Sequence, residues 1–149
     1  MTCKSCVYLK NKSLTIVETP YWKADLSKDQ SYLGHTTIDL KRHCPKLSEL
    51  TNEEQLDFLN MIKKIDKMLT KTFDCDALNI SCLMNHSLKE IPKNPHVHYQ
   101  IIPRYEHPKK FKGINFLDEE FGKHYDPKKK FQVEEKILYE MLNEIKKEL

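Results

Sequence analysis

Residues 95–104 read Pro-His-Val-His-Tyr-Gln-Ile-Ile-Pro-Arg, and this stretch narrows the possible folds more than any other. Side chains alternate between faces along a strand. As a strand, the segment sends His96, His98 and Gln100 to one face and Val97, Tyr99 and Ile101 to the other. Neighbours on one face stand about 6.6 Å apart, two residues at a rise of about 3.3 Å. Polar side chains at that spacing can line a small anion, or a metal beside an anion, while the other face needs an apolar cover. Pro95 and Pro103 cannot donate within a ladder, so the strand is expected to run His96–Pro103. A bare His-x-His also arises by chance on solvated strands. The glutamine two residues on, followed by Ile-Ile-Pro-Arg, makes the pattern specific.

The cover is legible elsewhere in the chain. Thr51-Asn52-Glu53-Glu54 carries a threonine with a glutamate three residues later, the capping-box pattern of a helix start. Phe58, Met61, Ile62, Ile65, Met68, Leu69 and Phe73 follow at helical spacing, which predicts a long amphipathic helix ending near Phe73. A second such helix is predicted over Val133–Leu149. Strands are predicted at Leu14–Glu18, Trp22–Leu26, Thr36–Lys41 after a Gly34-His35 turn, and Ala77–Met84. The stretch from Arg104 to Gln132 shows no clear period. The strands cluster before and between the helices instead of alternating with them. This order predicts an α+β fold, an antiparallel sheet of about five strands packed with a long helix and a C-terminal helix.

A chain of 149 residues makes one ordinary domain and needs no disulfide staples. No stretch approaches the ~20 apolar residues of a membrane span, and the first residues lack the apolar run of a secretory signal. A cytoplasmic, reducing setting is therefore expected, in which five cysteines are buried, reactive or metal-bound rather than paired. Cys3 and Cys6 form a Cys-x-x-Cys, half of a metal site or the unremarkable residues of a loose terminus. The net charge of +3 is too small to imply nucleic acid, and no aromatic–basic interleaving of an RNA module is present. The clusters Lys109-Lys110, Lys112 and Lys128–Lys130 read as solvated, with steering of an anionic substrate as the alternative. His35, His86, His107 and His124 have no convergent partner in the sequence and are read as surface or loop residues.

The histidine strand resembles the signature of the histidine-triad (HIT) superfamily, in which histidines alternate with apolar residues and Ile-Pro-Arg often follows. Gly34-His35-Thr36 through Leu40-Lys41-Arg42-His43 resembles the family's glycine-histidine strand, and the long helix follows as it does there. The resemblance covers residues 1–105, a HIT-like nucleotide-binding catalytic domain, with 106–149 as an extension and helix packed on the same domain or on a dimer partner. One departure is clear. The third triad position is Gln100, which resembles the transferase branch, such as galactose-1-phosphate uridylyltransferase and the diadenosine tetraphosphate phosphorylases.

The resemblance implies an enzyme that cleaves at the α-phosphate of a dinucleoside polyphosphate or related nucleotide. His98 would be the nucleophile forming a nucleotidyl-histidine, Gln100 and Asn85 the phosphate contacts, and His96 the organiser of the strand. The family also implies a structural zinc held by Cys3, Cys6, His43 and His96, no organic cofactor, and a homodimer. A phosphate-dependent phosphorylase or transferase, or a non-catalytic nucleotide-binding module, are the alternatives. Gln100 can donate through its amide but cannot protonate a leaving group, which favours phosphate leaving groups over amines.

Overall fold

The computed structural model describes residues 3–89 and 93–149, without the side chain of His86. After a short helix α1 (Lys4–Tyr8) come strands β1 (Thr15–Glu18), β2 (Trp22–Leu26) and β3 (Thr36–Leu40). The long helix α2 (Asn52–Phe73) leads to β4 (Ala77–Ser81) and β5 (His98–Arg104), then to a hairpin of β6 (Lys109–Phe111) and β7 (Ile114–Phe116), and finally to α3 (Glu135–Lys146). The first five strands form one antiparallel sheet in the order β1-β2-β3-β5-β4. This is the α+β architecture expected from the sequence.

Helix α2 begins where its capping box places it. Thr51 Oγ1 accepts from the Glu54 amide at 3.2 Å, and Glu54 Oε2 accepts from the Thr51 amide at 2.8 Å. Its buried face, Met61, Ile65, Met68 and Leu69, covers the apolar side of the sheet, where Trp22, Ala24, Leu26, Ile38, Leu40 and Ile101 lie. Leu138, Met141, Leu142 and Ile145 of α3 join the same core. Trp22 satisfies its indole N–H on the Glu54 carbonyl at 2.8 Å, which locks β2 to the first turn of α2.

Several predicted boundaries shift, each for a local reason. The fifth strand runs His98–Arg104 rather than His96–Pro103. Pro103 lies inside it, opposite Leu78 of β4. β3 has already ended at the Thr36–Ile101 pair, so one side of β5 is free at Pro103 and a missing donor is tolerated. At the other end, Val97 still bonds to Cys44 and Leu40, but the chain leaving β3 has bent out of register by then. β4 stops at Ser81 rather than Met84, and α3 spans less than the predicted Val133–Leu149. The aperiodic stretch holds a hairpin whose two-residue turn has Lys112 at φ 48° and Gly113 at φ 84°, the primed geometry that matches strand twist.

Candidate active site

The sheet register builds the site. Residues opposite each other on paired strands share a face, with Cβ atoms about 4.5–5.5 Å apart. One row across the polar face is Glu18, Lys23, Asp39 and His98; the next is Thr15, Asp25, Thr37, Gln100 and Ser81. His98 therefore heads one row of polar side chains, and Gln100 stands in the next between Thr37 and Ser81. Lys23, Asp25 and Asp39 are buried. Lys23 Nζ lies 2.8 Å from the Asp25 carboxylate, donates to the Asn11 carbonyl and sits 5.4 Å from the centre of the Tyr8 ring. The N-terminal segment thus roofs this charged patch. Burial pushes the Asp39 carboxyl up to about 6, against the opposing pull of His98.

His98 lines a cleft of about 400 Å³ together with His35, Asn85, Gln100, Tyr125 and Lys129. Its Nδ1 lies 2.8 Å from the His96 carbonyl oxygen. A carbonyl only accepts, so Nδ1 carries the proton and the lone pair is left on Nε2. Gln100 Oε1 lies 2.7 Å from His35 Nε2, and His35 Nδ1 lies 2.9 Å from the Asp29 carbonyl oxygen. Burial lowers the His35 pKa below the ordinary imidazole value, only partly offset by its hydrogen bond to Gln100 and by Asp29. Asn85 is exposed at the rim of the same cleft.

His35 corrects the sequence reading. It is not a surface residue: it is 8% exposed and bonded to the triad position. Its signal was the Gly34-His35 turn. Gly34 has φ 82°, and a Cβ there would meet the Phe73 ring at 2.9 Å, so the turn needs glycine and fixes where the next residue points. His107 and His124 are exposed, as expected, and the His86 side chain lies outside the described residues. Two of the lysines read as solvated line the cleft. Lys130 is paired with Asp29 at 2.9 Å, and Lys129 donates to the Leu117 carbonyl at 2.7 Å. The tail that carries them is tied to β5 by Arg104, whose guanidinium makes a two-point contact with buried Asp118 at 2.7 and 3.0 Å.

Cys3, Cys6, His43 and His96 converge, with one donor atom of each within 4.8 Å of the others. His96 Nδ1 lies 3.5 Å from Cys3 Sγ and 3.6 Å from Cys6 Sγ, and His43 Nδ1 lies 3.8 Å from Cys6 Sγ. Bond lengths of about 2.3 Å to sulfur and about 2.0–2.1 Å to nitrogen give a tetrahedral S···N edge of about 3.6 Å, so the donor set fits zinc. His96 Nε2–H donates to the Leu40 carbonyl at 2.7 Å, which leaves Nδ1 free as a ligand atom. Burial holds His96 below the ordinary imidazole value, which favours the neutral form a metal requires. Cys44, beside His43, instead faces the core and is fully buried.

A five-stranded antiparallel sheet whose fourth strand, β5, carries His98 and Gln100 at a cleft on the polar face defines a class of α+β fold. The HIT domain model matches residues 9–107, and the chain belongs to that family. It is 32% identical over 71 residues to the bis(5'-nucleosyl)-tetraphosphatase [asymmetrical] of Schizosaccharomyces pombe, covering 48% of this chain and 38% of that protein. It is 28% identical over 106 residues to an adenosine 5'-monophosphoramidase of the same yeast, covering 70% of this chain and 75% of the relative. Among solved structures, a hypothetical histidine triad nucleotide-binding protein from Sulfolobus tokodaii superposes with a TM-score of 0.71 at 20% identity, covering 98% of this chain and 91% of that one. A Zn-bound histidine triad family protein from Mycobacterium smegmatis gives 0.66 at 16% identity, covering 99% and 93%. At these identities the structural likeness carries the fold.

Proposed function

We propose that this chain cleaves a phosphoric anhydride bond at the α-phosphate of a dinucleoside polyphosphate or related nucleotide through a covalent intermediate on His98. The observation that carries the reading is the 2.8 Å bond from His98 Nδ1 to the His96 carbonyl. In the neutral ring this bond uses the single N–H, and the Nε2 lone pair is on the ring's other nitrogen, in a side chain that lines a cleft. In the first step Nε2 attacks phosphorus and the bond to the leaving phosphate oxygen breaks. The leaving group departs as an anion, which needs no proton from Gln100. In the second step water or another acceptor attacks the same phosphorus. The N–P bond breaks and the electron pair returns to Nε2. When its oxygen is turned to His35, the Gln100 amide has its NH₂ group to offer the phosphate oxygens. Asn85 at the rim is the second phosphate contact. Relatives named as nucleotide hydrolases support the class of reaction. Gln100 favours a second reading, a phosphorylase or transferase with phosphate as acceptor.

Diadenosine tetraphosphate incubated with and without phosphate separates these readings, with His98→Ala as the control. Turnover in water, lost in the variant, supports a hydrolase. Turnover only with phosphate supports the phosphorylase. A nucleotide-induced rise in melting temperature without consumption points to a binding module.

Zinc in the Cys3, Cys6, His43 and His96 site would close a tetrahedron and tie the N-terminus to the head of the catalytic strand. A closed site leaves no position for water, so its contribution is structural. Metal analysis of the purified protein, expected at one zinc per chain, tests this. All five cysteines are free, in keeping with a cytoplasmic setting, and among the described residues no helix is long and apolar enough to cross a membrane. A homodimer is also proposed. Exposed Leu59 of α2 lines an apolar cavity of about 830 Å³ with Leu47, Met84 and Tyr99, and sedimentation should show twice the chain mass.

A further inference from the structure

His35 is buried with both ring nitrogens committed. Nδ1 faces the Asp29 backbone oxygen at 2.9 Å, and Nε2 faces the Gln100 amide at 2.7 Å. A backbone carbonyl only accepts, so Nδ1 must donate. A neutral imidazole has a single N–H, and that bond uses it. The neutral ring can then meet Gln100 only as an acceptor, which requires the amide to be turned so that its NH₂ group faces His35. With both nitrogens protonated, the ring donates to Gln100 Oε1 instead. Turning the amide exchanges the positions of its oxygen and nitrogen. The protonated ring therefore leaves the NH₂ group free for the cleft, and the neutral ring puts the amide oxygen there. A phosphate oxygen is attracted by the first arrangement and repelled by the second.

We propose that His35 is a positioning residue that sets the orientation of the Gln100 amide, and that binding a phosphate in the cleft draws a proton onto His35. The inference deepens the nucleotide reading of this site and rests on it for the phosphate step. The charged groups facing His35 are Asp29, from the loop before it, and Lys130, from the tail. They are paired with each other at 2.9 Å, which leaves the ring between a partly cancelled pair. On β5 it faces Gln100, with His98 two residues away. Burial favours the neutral ring in the free protein. An arriving phosphate places negative charge beside Gln100 and reverses that balance. Affinity for a phosphorylated ligand should then fall as pH rises, by at most tenfold per unit for a single proton.

The test is NMR of the full-length protein labelled with ¹⁵N in histidine and glutamine, with AMP as the probe. His35→Asn assigns the His35 signals and Gln100→Leu assigns the amide. In the free protein, the Gln100 side-chain amide signals should shift with the same midpoint as the His35 ring. Amide signals indifferent to that titration overturn the proposal, with no ligand needed. In folded Gln100→Leu, the His35 midpoint should fall, because the acceptor for its second N–H is gone; an unchanged midpoint also overturns it. With AMP bound, the midpoint should rise by about one unit, a tenfold gain in proton affinity. Bound AMP that leaves the midpoint unmoved overturns the coupling to phosphate. AMP that does not bind refutes that coupling and the nucleotide reading together, while the coupled titration of the free protein still decides the His35–Gln100 relation.

Discussion

A carboxylate in the middle of a sheet pays a desolvation penalty that only a well-placed cation removes. Asp39 is 6% exposed, and its carboxyl is pushed up to about 6 despite His98 and Lys23 nearby. Between pH 4 and pH 6 the folded chain therefore holds a proton there that the unfolded chain has released, and stability falls as pH rises through this window. A shift of two units is worth about 3 kcal/mol at most. Asp39→Asn should raise the melting temperature at pH 7–8 and leave it nearly unchanged at pH 4. Equal effects at both would contradict the burial argument. Gln100 carries a chemical prediction. An amine leaving group needs a proton that an amide cannot give and an imidazole can. Gln100→His should raise turnover of adenosine 5'-phosphoramidate relative to diadenosine tetraphosphate, and an unchanged ratio of kcat/KM values would count against that role. At this scale the alternation of His96, His98 and Gln100 was legible because period two is a local property. His35 was not, because its partner stands 65 residues away and only the β3–β5 register brings them together.

Elements announced themselves where their ends are written in adjacent residues. The Thr51 capping box marked the start of α2, and the bounds read for β2, Trp22–Leu26, are those of the strand. The ends of β5 and β4 were harder, because a strand stops where its neighbour leaves, and a neighbour is not a local property. Pro103 shows the rule at work: it reads as a stop but is accommodated where β3 has ended. The β6–β7 hairpin is a different case. Phe111-Lys112-Gly113-Ile114 holds a turn signal, but three-residue strands are too short to display a period. The turn at Gly34 is the most exacting of these junctions, since it delivers His35 to β5. Gly34→Ala should destabilise the fold by about 1–3 kcal/mol, from the positive φ and the close approach of Phe73. Thermal unfolding measures it; a stability equal to the parent would mean that the turn adapts freely.

The N-terminal segment and the segment after β7 are both brought back to the same strand, and this gives the molecule its site. The N-terminal segment meets the head of β5 at Cys3, Cys6 and His96, and it roofs Lys23 and Asp25 on the way. The tail is held at the foot of β5 by Arg104 and Asp118 and then returns along the cleft, where the Asp126 amide donates to Tyr32 Oη and Ser31 Oγ donates to the Lys129 carbonyl. The Ile-Pro-Arg that closes the triad pattern therefore has a physical task here, for its arginine anchors the cleft's far wall. Both Arg104 and Asp118 are nearly sealed from water, and removing one partner of a buried pair costs about 3–5 kcal/mol because the other charge is stranded. Asp118→Ala should lower the melting temperature accordingly, and Arg104→Met with Asp118→Leu should recover much of the loss. The wall at Tyr125–Lys130 should loosen in both variants, since each loses the Arg104–Asp118 pair and the double variant also loses the bonds from Arg104 to the Lys123 and Glu120 carbonyls. KM should then rise more than kcat falls in the double variant, whose fold is sound. A KM equal to that of the parent would show that the tail holds its place without this anchor, and that the cleft is shaped by the sheet alone.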